Sequence, residues 1–396
     1  MNHKPSVRRC RALLVSAALT VTVLCVPTVV NAQQSVRLTG YLEHQFSANH
    51  YPNSGWKQID YDRVRLDLNA RAGRGTRVSA AVVYQLYRGN TNIALADVLP
   101  EELAALVDTA SVTLETLHYL NHAYVTIRPG PFEITAGKQY LTWGAAAVFN
   151  PTELYRPKNI LEPGYEREGI GALSAKLPVG PLSDIRVAWV PEGGFDTSGK
   201  LLRVRHHLSG FDLSGIVAEV YEQPLPGGIL GVEGALSRRR TVGADVTGEL
   251  LGLGVWTEGT WSNFAETNWI EVTVGGNYSL ADGTLFMLEG FYNGRGEWDA
   301  PYNTTDWLHR LSGTRRSLGK GILIGSVNRP FGQLWSLGLS TLGNVGDASG
   351  VFIPTVSYSF AENVDLLFNG LVYFGGSGTE FGANDVGAFL RGRVYF

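Results

Sequence analysis

Arginines spaced two apart are the feature of this sequence that most invites chemistry. Arg63 and Arg65, Arg203 and Arg205, and Arg391 and Arg393 each flank a single residue, and Arg37, Arg71, Arg77 and Arg186 stand in similar alternating surroundings. On a β-strand, residues i and i+2 share a face, so each pair would offer two guanidinium groups to one side. Guanidinium stays charged at every accessible pH and presents a planar fork to carboxylate or phosphate. Such a row either steers anions or pairs with acids on the same face, and Glu43, Asp67, Asp245, Glu249 and Glu271 are placed for pairing.

A second group lies in the segment 144–167 and at its edge, where Trp143, Asn150, Glu153, Tyr155, Arg156, Lys158, Glu166 and Arg167 mix opposite charges with aromatic rings. That mixture suits a loop that narrows a passage, and equally a loop packed on its neighbours. Tyr41, Tyr87, Trp256 and Tyr373 could stack sugars, although lining is the plainer role. Other chemistry finds little support. His118 and His122 share a face of one strand two pairs apart, too far to chelate, and His206 and His207 alternate faces, so no metal site is expected. Gly313 to Lys320 imitates a phosphate loop, but five residues separate its glycines and Gly321 stands where Ser or Thr is needed. No G-x-S-x-G elbow occurs. No catalytic residue and no cofactor is expected.

Composition narrows the classes further. The chain has 396 residues, 44% hydrophobic and 17% charged, with 48 glycines and two cysteines. Met1 to Ala32 reads as a cleaved signal peptide: Lys4, Arg8, Arg9 and Arg11 precede the apolar run Leu13 to Val26, and Val30-Asn31-Ala32 supplies small residues for cleavage. Residues 33–396 then form one domain. Both cysteines, Cys10 and Cys25, leave with the signal, so no disulfide or thiol chemistry is expected, and Leu24 before Cys25 argues against lipidation. The signal carries four of 33 basic residues and none of 36 acidic ones, leaving a balance of −7 without the clustered basic surface that nucleic acid requires. No later stretch of about 18 apolar residues exists to cross a bilayer as a helix.

The elements that must position these residues show in a period of two. Val64, Leu66, Leu68 and Ala70 alternate with Arg63, Arg65, Asp67, Asn69 and Arg71; Ile270, Val272 and Val274 alternate with Glu271 and Thr273. Some eighteen such strands run from 35–47 to 385–396, with sixteen the nearest competing count because 183–208 and 321–329 are weak. Short turns (73–75, 129–131, 209–210, 251–252, 281–283) alternate with long connections (89–115, 144–167, 295–320), and a short helix is expected near Pro100 to Leu106. That asymmetry predicts an all-β, up-and-down antiparallel transmembrane barrel with polar faces lining a lumen, long loops outside and both termini in the periplasm. The order would set Arg391 and Arg393 beside Arg37, one strand from Arg63, Arg65 and Arg71. Interfacial girdles are expected from Trp189, Tyr221, Trp261, Trp269, Tyr292 and Phe374 at one rim, and from Phe132, Phe211, Phe331, Phe360 and Phe396 at the other.

Val386, Ala388, Leu390, Val394 and Phe396 fall on one face of the last strand. This strand resembles the terminal strand of Gram-negative outer-membrane barrels, whose final Phe is part of the signal read by the barrel-assembly machinery. Gly137-Lys138-Gln139, Trp143-Gly144, Phe149-Asn150-Pro151 and Arg156-Pro157 resemble segments of the porin superfamily related to phosphate-selective and alginate-export channels. The resemblance covers about 24 residues, Ala136 to Asn159, and implies a channel of the cell outer membrane, in contact with lipid, through which small hydrophilic solutes diffuse without a cofactor. It also implies a homotrimer as the assembly to look for. The alternatives are a non-conducting receptor or assembly barrel and, further off, an outer-membrane lipolytic hydrolase. A TonB-coupled transporter is disfavoured because no plug domain fits before the first strand.

Overall fold

The computed structural model describes residues 34–396 apart from 53, 99–110, 156–160, 162–165, 193, 223–236, 265–266 and 312. The signal segment, the helix expected over 100–106, Arg156 and Lys158 lie outside the described residues. The first strands are β1 (Gln34–Tyr51), β2 (Gly55–Ala72) and β3 (Thr76–Gly89), followed by a small ribbon of β4 (Asn92–Ala94) and β5 (Ser111–Thr113). Next come β6 (Leu117–Ile127), β7 (Glu133–Gln139), β8 (Ile170–Pro178), β9 (Asp184–Glu192), β10 (Gly194–Leu208), β11 (Phe211–Glu222) and β12 (Ser237–Leu250). The chain continues through β13 (Leu253–Phe264), β14 (Thr267–Ser279), β15 (Leu285–Asn293), β16 (Gly321–Phe331), β17 (Trp335–Asn344), β18 (Ser349–Ala361), β19 (Val364–Phe374) and β20 (Val386–Tyr395). All except β4 and β5 join one 18-stranded antiparallel sheet, in which β1 pairs with both β2 and β20 and so closes the barrel. Both weak segments form strands. The ribbon and two helices, α1 (Leu95–Val98) and α2 (Thr304–Leu311), were not expected from the sequence.

Alternation sets the walls. On β1, Val36, Leu38, Leu42 and Phe46 are exposed while Tyr41, Glu43 and Gln45 are buried. The same exposed apolar face recurs at Leu202 and Val204, at Val242, and at Leu337 and Leu339. An apolar belt carried right round a closed barrel has no place in water and is the surface that lipid covers. Trp189, Trp261, Tyr292 and Phe374 stand exposed near the long connections, and Phe132, Phe331, Phe360 and Phe396 near the short turns. Trp269 departs from the expected girdle: it shares the parity of Glu271 and Thr273, and all three are buried inside. At the short-turn end, Ser209-Gly210 and Leu251-Gly252 have positive φ at both residues, the two-residue hairpin that fits the twist of adjoining strands.

The lumen is polar only in part. Ile216 and Ala218 of β11, Leu201 of β10, and Ala188 and Val190 of β9 face inward and pack against Trp143, Leu141, Leu154 and Tyr155. Across the barrel, Phe291, Ile322, Ile324, Leu342, Val351 and Ile353 enclose Phe149 and Phe381. Where a loop covers the inner wall, both faces of a strand are apolar, and the interior resembles a folded core rather than a pore.

Candidate functional site

The arginines gather at the seam where the chain's ends meet. Register places Arg393 opposite Glu43 and Glu43 opposite Arg63, with Tyr395, Tyr41 and Arg65 in the adjoining row. The Glu43 carboxylate is fully buried: Oε1 accepts from Arg63 Nη1 at 3.2 Å and the Tyr61 hydroxyl at 3.0 Å, and Oε2 accepts from Arg393 Nε at 2.7 Å. Arg391 Nε lies 3.8 Å from the same Oε2. One carboxylate therefore serves three guanidinium groups, leaving two positive charges over. Arg37 is not in this arc. β20 ends its pairing at Tyr41, so Arg37 faces only Asn69, and it stands exposed at the short-turn rim with Arg71 and Arg77.

A second hub repeats the pattern. Asp184, buried on β9, lies 2.7 Å from Arg186 Nε, 2.9 Å from Arg205 Nη2 and 3.9 Å from Lys176 Nζ. Arg203 instead pairs with Asp245 at 3.4 Å. Arginine pairing and arginine surplus thus coexist in one wall.

The described residues 140–155 fold into the barrel, and two wall carboxylates hold them there. The backbone N–H groups of Ala145 and Ala146 donate to Glu258 Oε2 at 2.8 and 3.1 Å, and the N–H and hydroxyl of Thr152 donate to Oε1 at 2.6 and 2.7 Å. Glu289 accepts from Ala147 N at 2.8 Å, Val148 N at 3.1 Å, Phe149 N at 2.8 Å and the Trp256 indole N–H at 2.8 Å. Thr152 Oγ1 also lies 3.1 Å from the Trp143 carbonyl, drawing the two ends of the turn together. Gly144 is required at φ +132°, for an added Cβ would lie 2.8 Å from both Glu258 Oε2 and Asn150 Nδ2. The Phe149 ring stacks on Phe291 at 4.4 Å. Tyr155 reaches β10 where Gly199 leaves room for its hydroxyl.

The far end of the loop returns along the seam. Arg167 pairs with Glu153, Glu168 with Lys138, and Glu166 with Arg65. Asn121 anchors this return: its side-chain amide donates to the Arg167 carbonyl at 3.0 Å, and its own carbonyl accepts from Gly169 N at 2.8 Å. Asn121 is the extra residue of a β-bulge, since Ala81 pairs with His122 but Val82 with Leu120. The bulge turns both Asn121 and His122 inward and leaves His118 exposed outside, so the two histidines do not share a face. His122 then bonds Ser79 at 3.0 Å and Tyr140 at 2.9 Å. Between the returning loop and the seam lies a cavity of about 640 Å³, lined by Tyr41, Arg65, Glu166, Arg167, Arg393 and Tyr395 among others.

Two further loops close over this one. In 294–320, Arg316 donates to the Glu153 carbonyl at 2.7 Å and approaches Glu271 at 3.7 Å. In 375–385, Glu380 accepts the N–H groups of Leu318 and Gly319 at 3.0 and 3.1 Å and the Ser317 hydroxyl at 2.7 Å. Burial lowers the pKa of Arg316, and burial beside Arg239 pushes Arg295 down to about 10, so Arg295 keeps its charge at neutral pH. Glu258, Glu289 and Glu380 escaped the sequence reading. The first two share strand parity with Trp256 and Phe291, a signal that places them inside the barrel but does not say what they hold.

A closed 18-stranded barrel with an apolar outer belt and a loop folded into its lumen is the architecture of Gram-negative outer-membrane porins. No family model matches the chain, and no curated protein matches it either. Among solved structures, OccAB1 of Acinetobacter baumannii superposes with a TM-score of 0.57 at 11% identity, covering 92% of this chain and 96% of that one. OccAB4 of the same organism gives 0.55 at 10% identity over 92% and 99% of the two chains. The outer membrane protein OpdK of Pseudomonas aeruginosa gives 0.55 at 7% identity over 91% and 98%. At these identities the likeness is one of fold.

Proposed function

We propose that the protein is an outer-membrane channel through which small hydrophilic solutes diffuse, with a preference for anions. On this reading the chain is exported behind residues 1–32, and its last strand with Phe396 is recognised by the barrel-assembly machinery. The observation that carries the proposal is the charge left over inside: among the described residues Arg63, Arg391 and Arg393 share Glu43 alone, and Lys176, Arg186 and Arg205 share Asp184. Surplus guanidinium charge in a low-dielectric wall raises the local concentration of anions and repels cations. No catalytic step is assigned.

The test is conductance of the refolded protein in planar bilayers under a salt gradient. A reversal potential on the anion side, moving toward zero in Arg391→Gln and Arg393→Gln, is the expected result. Cation preference would overturn the selectivity. A second reading, a non-conducting surface receptor, draws on the described residues of the three long connections, which interlock across the lumen through Glu153, Arg316 and Glu380. Silence from a folded barrel would favour it.

A further inference from the structure

Among the described residues, Arg65 is the one arginine of the seam that holds two carboxylates. Its Nε and Nη2 take both oxygens of Asp67 at 2.8 and 2.9 Å, a bidentate pair within one strand, and the remaining Nη1 takes Glu166 from the loop. The two partners are not equivalent. Asp67 has the fork geometry that makes guanidinium–carboxylate pairs strong. Glu166 is a second negative charge on a cation already paired, bound through a single nitrogen. Its side chain is 28% exposed, against 12% for Arg65, and it lines the cavity of about 640 Å³. Asn121 pins the backbone on the C-terminal side of Glu166, at the Arg167 carbonyl and the Gly169 N–H. Rotation of one side chain is therefore enough to vacate the Nη1 position while the loop stays in place.

The cavity holds a further group without work to do. The Tyr41 hydroxyl is buried, with the residue 4% exposed, and has no hydrogen-bond partner among the described residues. Arg393 lines the same space with its guanidinium 4.3 Å from the Tyr41 ring centroid.

We propose that Glu166 is an internal ligand whose carboxylate occupies the place on Arg65 that an anionic group of a solute takes, so that arrival of the solute and departure of Glu166 are one exchange. This rests on the reading of the lumen as an anion path and adds to it a built-in competitor. A competitor of this kind sets a threshold: weakly bound inorganic anions leave Glu166 in place, and carboxylate-bearing solutes displace it.

The experiment measures succinate binding to the detergent-solubilised full-length protein by titration calorimetry, a readout that does not require conduction. Removing the competitor in Glu166→Gln is expected to raise succinate affinity about tenfold, equivalent to about 1.4 kcal/mol. The double variant Glu166→Gln with Arg65→Gln should lose that gain. Glu168→Gln, which removes a neighbouring carboxylate that pairs with Lys138, should leave affinity as it is. Equal or weaker succinate binding in Glu166→Gln overturns the proposal, as does a gain of the same size in Glu168→Gln. Bilayer recordings on the same preparations separate the two ideas. A silent barrel that still shows the tenfold gain keeps the internal ligand and rejects the channel; a conducting barrel without the gain does the reverse. Heat-modifiable migration on gels confirms that each variant is folded.

Discussion

Glu289→Gln isolates the latch that holds the loop across the lumen. In the wild type, Oε1 receives Val148 N at 3.1 Å and Phe149 N at 2.8 Å, and Oε2 receives Ala147 N and the Trp256 indole N–H, both at 2.8 Å. An amide in place of the carboxylate sets an NH2 donor against two N–H donors, whichever way it is turned. Two charge-assisted bonds are lost, at about 1.5–3 kcal/mol each. The local loss of about 3–6 kcal/mol leaves the Glu258 half of the latch and the Phe149–Phe291 stack intact. The loop then opens locally while the barrel remains closed. Each 1.4 kcal/mol is about a factor of ten in an opening equilibrium, so amide exchange at 147–149 should quicken by about two to four decades, with the strands of β13 and β14 unchanged. Hydrogen exchange read by mass spectrometry supplies the assay, and Glu249→Gln, an exposed lumenal acid, is the control. Exchange at 147–149 within tenfold of the wild type would refute the latch and assign the loop's position to apolar packing alone.

The seam makes a steric prediction. Gly40 and Phe396 exchange both backbone hydrogen bonds, at 2.9 and 3.1 Å, and a Cβ on Gly40 would lie 2.2 Å from the Arg65 carbonyl and 2.9 Å from Phe396 Cζ. Gly40→Ala should lower the temperature of the heat-modifiable transition, whereas Gly171→Ala, with nothing within 4 Å of its added carbon, should not; equal effects would clear the seam of steric constraint. A third prediction concerns acid. Burial, then Arg295 and Arg315, lower the His309 pKa below its usual 6.5 against the opposing pull of Asp306. The opened loop therefore binds a proton more readily than the folded one, and the stability this histidine lends is present above about 6.5 and lost as pH falls below it. Exchange at 304–320, corrected for its intrinsic pH dependence, should accelerate between about pH 7.5 and about pH 5.5, and His309→Gln should abolish the acceleration. An unchanged acid response in that variant would assign it to another group.

Strands were the legible part of this chain because lipid imposes a rule on every outward position. All eighteen barrel strands fall close to the runs read from alternation, even the weak 183–208 and 321–329. Legibility ends where that rule stops applying. Ile216 and Ala218 point inward although they are apolar, because Trp143 and its neighbours cover them, and nothing in a period of two reports a cover. The bulge at Asn121 did leave a trace, since strict alternation would put that polar residue on the lipid face and Leu120 in the lumen. Arg37 was assigned to the arc because sequence order gives neighbours, whereas the stagger of β20 against β1 decides which residues meet. Loop seats lie furthest from sequence: Glu258 and the N–H groups it receives are more than 100 positions apart.

Glu43 belongs to the first strand, and two of its three arginines belong to the last. Arg393 and Glu43 are 350 positions apart, so the contact forms only when the two ends of the chain zip together. Until then Glu43 has Arg63 as its sole cation among the described residues, and Arg391 and Arg393 sit on an edge strand whose other neighbour sets Asp365 opposite Arg393. The charge pattern of the seam, unlike that of the Asp184 hub on β8–β10, thus depends on closure. A barrel left unsealed would present a different charge pattern from a finished one, and on the proposed channel function ion selectivity becomes a readout of completed assembly.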